Sequence, residues 1–276
     1  MQHSSFDPRV PGGADVRPTR ILPAFPSRSQ ASELPWSSTT ARERLVHGFD
    51  SRNASSRTFN LIRSKLVTLQ RERGWRFIGV VSATPDVGKS FISANLAAAM
   101  SRDPRFQTYL IDLDLRRGTI KDIFGIDADN TIVEFLEHPN SSEMLNGFVP
   151  RGQDLIIVPS AAGEVHSAEL LASERASSMF RAMRNSDERN YFICDLPPVF
   201  ANDDASIVME SLDGYVIVVQ DGKTTQREIE AAIDMLGQER LAGVVLNKYR
   251  GGLVSEGYVI EDRYAQYYAR RDLDAD

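Results

Sequence analysis

The sequence predicts an α/β fold, a doubly wound and mostly parallel sheet flanked by helices. Three observations predict it. From about residue 76 to residue 246, short apolar runs alternate with segments of helical periodicity, the order that builds parallel sheets through crossover helices. Runs such as Tyr215-Val216-Ile217-Val218-Val219 are apolar at every position, as strands are when both faces of a sheet are covered. Between the apolar run Phe77-Ile78-Gly79-Val80-Val81 and the next helical segment lies a turn ending in Gly88-Lys89-Ser90. A strand thus hands the chain to a tight loop and a helix start.

The elements follow in order. Residues 1–54 hold six of the 13 prolines and many Ser, Thr and Arg, with little apolar periodicity. That composition predicts a disordered, mildly basic leader. Phe59, Ile62, Leu66 and Leu69 then recur at helical spacing over 57–73, and Gly74 ends the helix. Strands are predicted at 76–82, 107–112, 154–158, 190–195, 214–220 and 241–246. Helices between them are predicted at about 89–101, 117–124, 130–137, 173–185, 202–211 and 224–237. The folded domain reads as 55–248. From Tyr249 the pattern stops, and residues 249–276, rich in Gly, Tyr and Arg, read as a flexible tail.

Composition excludes several classes. The chain has 276 residues, 42% of them apolar and 25% charged, the balance of a soluble globular protein. Its one cysteine, Cys194, sits in an apolar run, so a buried small hydrophobe is expected and no disulfide framework. There is no run of about 18 apolar residues, and the first residues lack an apolar signal-like stretch. A cytoplasmic protein that does not cross a membrane is the expectation. A net charge of −6 argues against a nucleic-acid partner.

The segment Ser82-Ala83-Thr84-Pro85-Asp86-Val87-Gly88-Lys89-Ser90 has the spacing of a P-loop, in the strand-to-helix position where a P-loop works. Thr84, Pro85, Asp86, Val87, Gly88, Lys89, Ser90 and Phe91 are therefore assigned to nucleotide binding. Backbone N–H groups and the helix N-terminus would face the phosphates, Lys89 would reach the outer ones, and the Ser90 hydroxyl would ligate Mg²⁺.

Two other strand ends carry carboxylates: Asp112 and Asp114 in Ile111-Asp112-Leu113-Asp114, and Asp195 in Cys194-Asp195-Leu196-Pro197-Pro198. Ligands of open α/β sheets bind outside the carboxyl ends of strands, so the three should meet beside the P-loop. Asp195 is assigned to the ion, directly or through water. Asp112 and Asp114 would hold Mg²⁺ and orient or deprotonate an attacking hydroxyl. The metal set is then Ser90, Asp112 and Asp195, and the catalytic set is Lys89, Asp112, Asp114 and Asp195. A single Asp at a strand end is more often a turn or helix cap; three in this order after a P-loop favour the ion.

These residues carry a resemblance. The chain resembles the bacterial tyrosine autokinases of capsule and exopolysaccharide synthesis, a branch of the ParA/MinD-like P-loop ATPases. The matching pieces are Ser82-Ala83-Thr84-Pro85 with Gly88-Lys89-Ser90 as Walker A, Asp112-Leu113-Asp114-Leu115-Arg116 as Walker A′, and Asp195-Leu196-Pro197-Pro198 as Walker B. The resemblance implies phosphoryl transfer from ATP to tyrosine hydroxyls with Mg²⁺ and no other metal. Tyr258, Tyr264, Tyr267 and Tyr268 match the family's autophosphorylated tail cluster. It also implies self-association and activation by a membrane-embedded polysaccharide co-polymerase on a separate chain. The protein would then sit peripherally at the inner membrane. Thr84 stands where ParA/MinD-type ATPases carry an extra lysine, which favours the kinase branch over an ATPase switch. A nucleotide-binding scaffold that has lost turnover is the other alternative, with Asp86 as its best support. By the same resemblance Asn247 approaches the adenine; an Asn ending a strand in a turn is the alternative.

The chain departs from the family in two places. Asp86 stands where glycine is usual and Val87 where an acidic residue is usual, which puts a charge near the phosphates. The family's Glu-x2-Arg-x2-Arg element, used in ring assembly, corresponds to Arg57, Asn60 and Arg63, and only Arg63 matches.

Overall fold

The computed structural model describes residues 25–127, 132–138, 145–163 and 166–249. Its strands are β1 (Ser32–Leu34), β2 (Phe77–Ser82), β3 (Gln107–Asp112), β4 (Phe148–Pro150), β5 (Leu155–Val158), β6 (Asn190–Asp195), β7 (Gly214–Gln220) and β8 (Leu241–Asn247). Its helices are α1 (Ser38–Glu43), α2 (Arg57–Arg73), α3 (Lys89–Met100), α4 (Thr119–Phe124), α5 (Ile132–Glu137), α6 (Ser167–Leu171), α7 (Glu174–Arg184), α8 (Asp204–Met209) and α9 (Gln226–Leu236). The strands form one sheet in the order β1-β4-β5-β3-β6-β2-β7-β8. Every pairing is parallel except β4 with β5, which meet antiparallel at Phe148 and Ile157. The predicted doubly wound architecture is present.

Strand order places the site. β6 lies between β3 and β2, so the ends of the three strands that carry the motifs are neighbours. Asp112 and Asp195 sit opposite each other in the β3–β6 register. The central strands β2, β3, β5, β6 and β7 are buried on both faces because both are covered, whereas the edge strand β8 leaves Val244 and Leu246 half exposed. Phe77 and Val81 join Tyr109, Phe192 and Tyr215 in the core under α7, α8 and α9. Ile78 and Val80 join Leu110, Tyr191 and Val216 in the core under α2 and α3. The Phe192 ring stacks on Phe77 at 5.0 Å and on Tyr109 at 4.8 Å. Full burial of such a side chain is worth roughly 1.5–3 kcal/mol. Cys194 is buried, as expected, and burial pushes its thiol up and out of reactive range. No helix among the described residues is long and apolar enough to cross a membrane.

The reading of residues 1–54 as a disordered leader is corrected for residues 25–54, which are built into the fold. β1 pairs parallel with β4. Phe25 packs edge-on against Phe192 and Tyr109, and the Tyr109 hydroxyl donates to the Pro26 carbonyl at 3.2 Å. Trp36 lies 5.4 Å from Phe124 and 6.0 Å from Phe49. The anchor is Asn95, fully buried in α3. Its Oδ1 accepts the N–H groups of His47 (2.7 Å) and Gly48 (3.0 Å), and its Nδ2 donates to the Leu45 carbonyl at 3.0 Å. Gly48 is required there, because a Cβ would fall 2.1 Å from the Asn95 carbonyl. Isolated aromatic pegs and one helix Asn leave no periodicity in the sequence, which is why composition misread the segment. Residues 1–24 and 250–276 lie outside the described residues.

Asn95→Ala should therefore cost about 2–4 kcal/mol, since it leaves the buried Gly48 N–H and the His47 N–H without an acceptor. Urea unfolding measures this. A loss below about 0.5 kcal/mol would mean that water replaces the amide freely.

Candidate nucleotide site

β2 delivers the chain to the loop 83–88, and α3 leaves it at Lys89. Two loop residues have left-handed backbones: Gly88 at φ 92° and Asp86 at φ 63°. Asp tolerates that region at a cost that glycine does not carry. Gly88 has a second reason, because a Cβ would lie 2.3 Å from the Asn247 amide. Val87 is buried in the apolar core on the α3 side, which explains an apolar residue at that position.

Three successive loop carbonyls are held from the β7 and β8 ends. Pro85 O accepts from Lys223 Nζ at 3.4 Å, Asp86 O from Lys248 Nζ at 2.5 Å, and Val87 O from Asn247 Nδ2 at 2.7 Å. The N-cap of α3, Gly88, makes no side-chain capping bond, so the first N–H groups of the helix are open to an external acceptor. A loop whose carbonyls are tied and whose helix start is uncapped, with Lys89 beside it, is a donor set that fits an oligophosphate. Thr84 is half-buried, with its carbonyl accepting from Ser82 Oγ at 2.8 Å, and Pro85 is exposed. Phe91 supplies first-turn backbone, while its ring packs edge-on against Phe59 at 6.0 Å. Asn247, expected near the adenine, uses its amide nitrogen on the loop itself.

The charged residues meet at the inner end of the loop. Lys89 Nζ lies 3.2 Å from Asp114 Oδ2, with both side chains buried. Ser90 Oγ donates to Asp195 Oδ2 at 2.5 Å, Ser93 Oγ donates to Asp195 Oδ1 at 2.8 Å, and Thr119 Oγ1 donates to Ser90 Oγ at 2.6 Å. Ser90 and Asp195 therefore present oxygens side by side, a fit for Mg²⁺ that keeps most of its waters. Asp112 is brought alongside but spends its oxygens differently. Oδ1 accepts the Asp114 N–H and Oδ2 accepts the Ile120 N–H, both at 3.1 Å. It organises the loop from β3 to α4, the capping role that the sequence left as the alternative. Among the described residues, no three His, Cys, Asp or Glu side chains converge as a metal cage, so an ion here would rely on Ser90, Asp195, phosphate and water.

Three carboxylates face one lysine. Burial raises Asp112 well above the usual carboxylate range, and the nearby Asp195 adds to this. Burial raises Asp195 as well, opposed by Lys89 and by the two serine hydroxyls. Burial alone would lower Lys89, but Asp195 and Asp114 outweigh it and raise the ammonium above its ordinary value. The lysine stays charged, and the pocket favours a further cation.

Several residues with roles here were not singled out from the sequence. Ser93 and Thr119 complete the hydroxyl line. Lys223 and Lys248 tie the loop. Asp204, at the start of α8, has a fully buried carboxylate turned inward, accepting from Asn202 at 2.9 Å and lying 3.7 Å from Arg116 Nε. Arg116 Nε also donates to Ser167 Oγ at 2.9 Å. One signal was legible: Ser93 stands one helical turn beyond Ser90 on the same face. The tail tyrosines Tyr258, Tyr264, Tyr267 and Tyr268 lie outside the described residues.

The family model described as the CobQ/CobB/MinD/ParA nucleotide binding domain matches residues 78–264. The chain belongs to that family. Two curated relatives of this CobQ/CobB/MinD/ParA domain carry kinase names. One is the tyrosine-protein kinase CpsD of Streptococcus agalactiae, 28% identical over 206 residues, which cover 72% of this chain and 86% of that one. The other is the tyrosine-protein kinase ptk of Acinetobacter johnsonii, 29% identical over 174 residues, 62% of this chain. The match spans only 22% of that longer relative. Among solved structures, the kinase domain of the Escherichia coli tyrosine kinase ETK superposes with a TM-score of 0.65 at 22% identity, covering 82% of this chain and 94% of that one. At that identity the likeness concerns the fold.

Proposed function

We propose that the chain is an ATP-dependent protein-tyrosine autokinase acting in capsular or exopolysaccharide synthesis or export. The observation that carries this reading is the line Lys89–Asp114 and Thr119–Ser90–Asp195 at the mouth of an uncapped helix. The names of the 28–29% identical relatives support tyrosine as the acceptor. Bound Mg-ATP would supply the phosphoryl group. Lys89 and the helix start would hold its negative charge, and Ser90 with Asp195 would hold the ion. Asp114 is the carboxylate left to take the tyrosine proton, because Asp112 is committed to backbone N–H groups. A membrane-embedded polysaccharide co-polymerase on another chain is the proposed activator. It would keep the enzyme at the inner face of the membrane, where copies associate.

Tyr258, Tyr264, Tyr267 and Tyr268 are the proposed acceptors, modified between copies. The test mixes an Asp195→Asn protein, with tail but without ion ligand, and an active protein truncated after Arg250. Phosphotyrosine on the Asp195→Asn chain is expected, and more of it when the activator is present. If that chain stays unmodified while full-length protein labels itself at a rate independent of concentration, transfer is within one chain. Phosphate found by mass spectrometry outside the tail would contradict the assignment of the acceptors.

A further inference from the structure

Arg117 and Asp86 meet across the mouth of the loop. Arg117 Nη1 lies 2.6 Å from Asp86 Oδ1, although the residues are 31 apart in sequence. Asp86 keeps an acid at a left-handed position where glycine would be unstrained. Its backbone is fixed by the Lys248 bond to its carbonyl, and the neighbouring carbonyl is held by Lys223. The direction of its carboxylate is therefore set by the loop. Both side chains of the pair are more than half exposed, at 52% and 66%, and exposed pairs of this kind exchange partners at little cost. The adjacent Arg116 differs, since Ser167 and the buried Asp204 hold it.

We propose that Asp86 and Arg117 form a latch: Asp86 holds Arg117 off the phosphate site, and a bound nucleoside triphosphate competes for the same guanidinium. This rests on the nucleotide reading above and adds a residue to it. A guanidinium binds phosphate oxygens in a bidentate fork, and Arg117 is anchored at the start of the turn that leads into α4, beside the loop. Arg117 holds the Asp86 carboxyl below the ordinary carboxylate range, first through their hydrogen bond and then through its charge. The acid is therefore ionised across the working pH range, and the latch is set by nucleotide rather than by protons. Part of the ATP affinity is spent on opening the pair.

The latch and simple charge screening predict opposite couplings. If Arg117 moves to phosphate, removing the Asp86 charge helps most when Arg117 is present. If Arg117 only screens Asp86, removing that charge helps most when Arg117 is gone. Calorimetric titration of Mg-ATP into wild type, Asp86→Asn, Arg117→Gln and the double variant decides between them. Asn tolerates the left-handed backbone, and melting curves verify that all four are folded. The latch predicts that Asp86→Asn tightens ATP binding roughly fivefold with Arg117 present and roughly twofold without it. It also predicts that Arg117→Gln weakens binding. Asp86→Gly, which relieves the backbone as well, should tighten binding in the wild-type background. A gain in the Arg117→Gln background equal to or larger than that in wild type overturns the latch while leaving the nucleotide site standing. Absence of Mg-ATP binding by all four folded proteins overturns the nucleotide reading, and the latch with it.

Discussion

Lys89→Met is expected to remove both nucleotide binding and several kcal/mol of stability. Lys89 is the cation among three buried carboxylates, and its ammonium lies 3.2 Å from Asp114. Removing one member of a buried ion pair typically costs about 3–5 kcal/mol, because the partner charge stays behind without compensation. The pH dependence has a definite sign. Asp112 and Asp195 already have folded values raised above the ordinary 3.8. Between that value and the raised one, the folded state binds more protons than the unfolded state, so their ionisation lowers stability as pH rises. Without Lys89 those values rise further. The deficit of the variant should be largest near pH 7.5 and shrink toward pH 4–5 as the carboxylates take protons. Lys89 itself is raised above 10.5, so its contribution in the wild type is fully present below that pH and is lost only above it. Urea unfolding of both proteins at pH 7.5 and pH 5 measures the difference. An equal deficit at both values would show that the lysine does not compensate the acids.

Asp195→Asn should do the reverse: catalysis falls by roughly a hundred- to thousandfold while the fold holds. Asp195 accepts two serine hydroxyls, and hydroxyls rotate to suit an amide. The substitution also removes a charge whose burial costs stability at neutral pH, by the same sign as above. The melting temperature should stay level or rise. Asp112→Asn makes the contrast. Its two oxygens each accept a backbone N–H, an amide offers one acceptor only, and the melting temperature should fall. Greater unfolding in the Asp195 variant than in the Asp112 variant would contradict the division of roles between them.

Much of the sheet could be read from the sequence because its central strands carry continuous apolar runs of four or more residues. The six predicted strands fall within one residue of those observed, and Tyr215–Val219 lies inside β7. β1 and β4 have three residues each and α6 has five, too few for any periodicity. The segment from Phe25 to Phe49 was missed because Phe25 and Trp36 act singly, each against aromatic rings far along the chain. The site divides in the same way. Lys89, Ser90, Asp112, Asp114 and Asp195 stand in compact local motifs whose spacing carries their chemistry. Lys223 and Lys248 reach the loop from 138 and 162 residues away, and Arg117 meets Asp86 only because the fold sets α4 beside the loop. Contacts of that kind leave no local pattern. The Asp112 oxygens illustrate a further limit: a motif names the residue, but the direction of its carboxylate is decided by the backbone around it.

The central claim is that phosphate leaves ATP for a tyrosine and not for water. The direct measurement is the fate of the γ-phosphate. Purified full-length protein is incubated with Mg²⁺ and γ-labelled ATP, with and without the membrane activator, and label in tyrosyl phosphate is compared with label in free phosphate. The account predicts label on Tyr258, Tyr264, Tyr267 and Tyr268 at a yield that accounts for a substantial part of the ATP consumed, and none in the Asp195→Asn protein. Steady release of inorganic phosphate with no label on tyrosine, under both conditions, would contradict it and make the chain an ATPase switch.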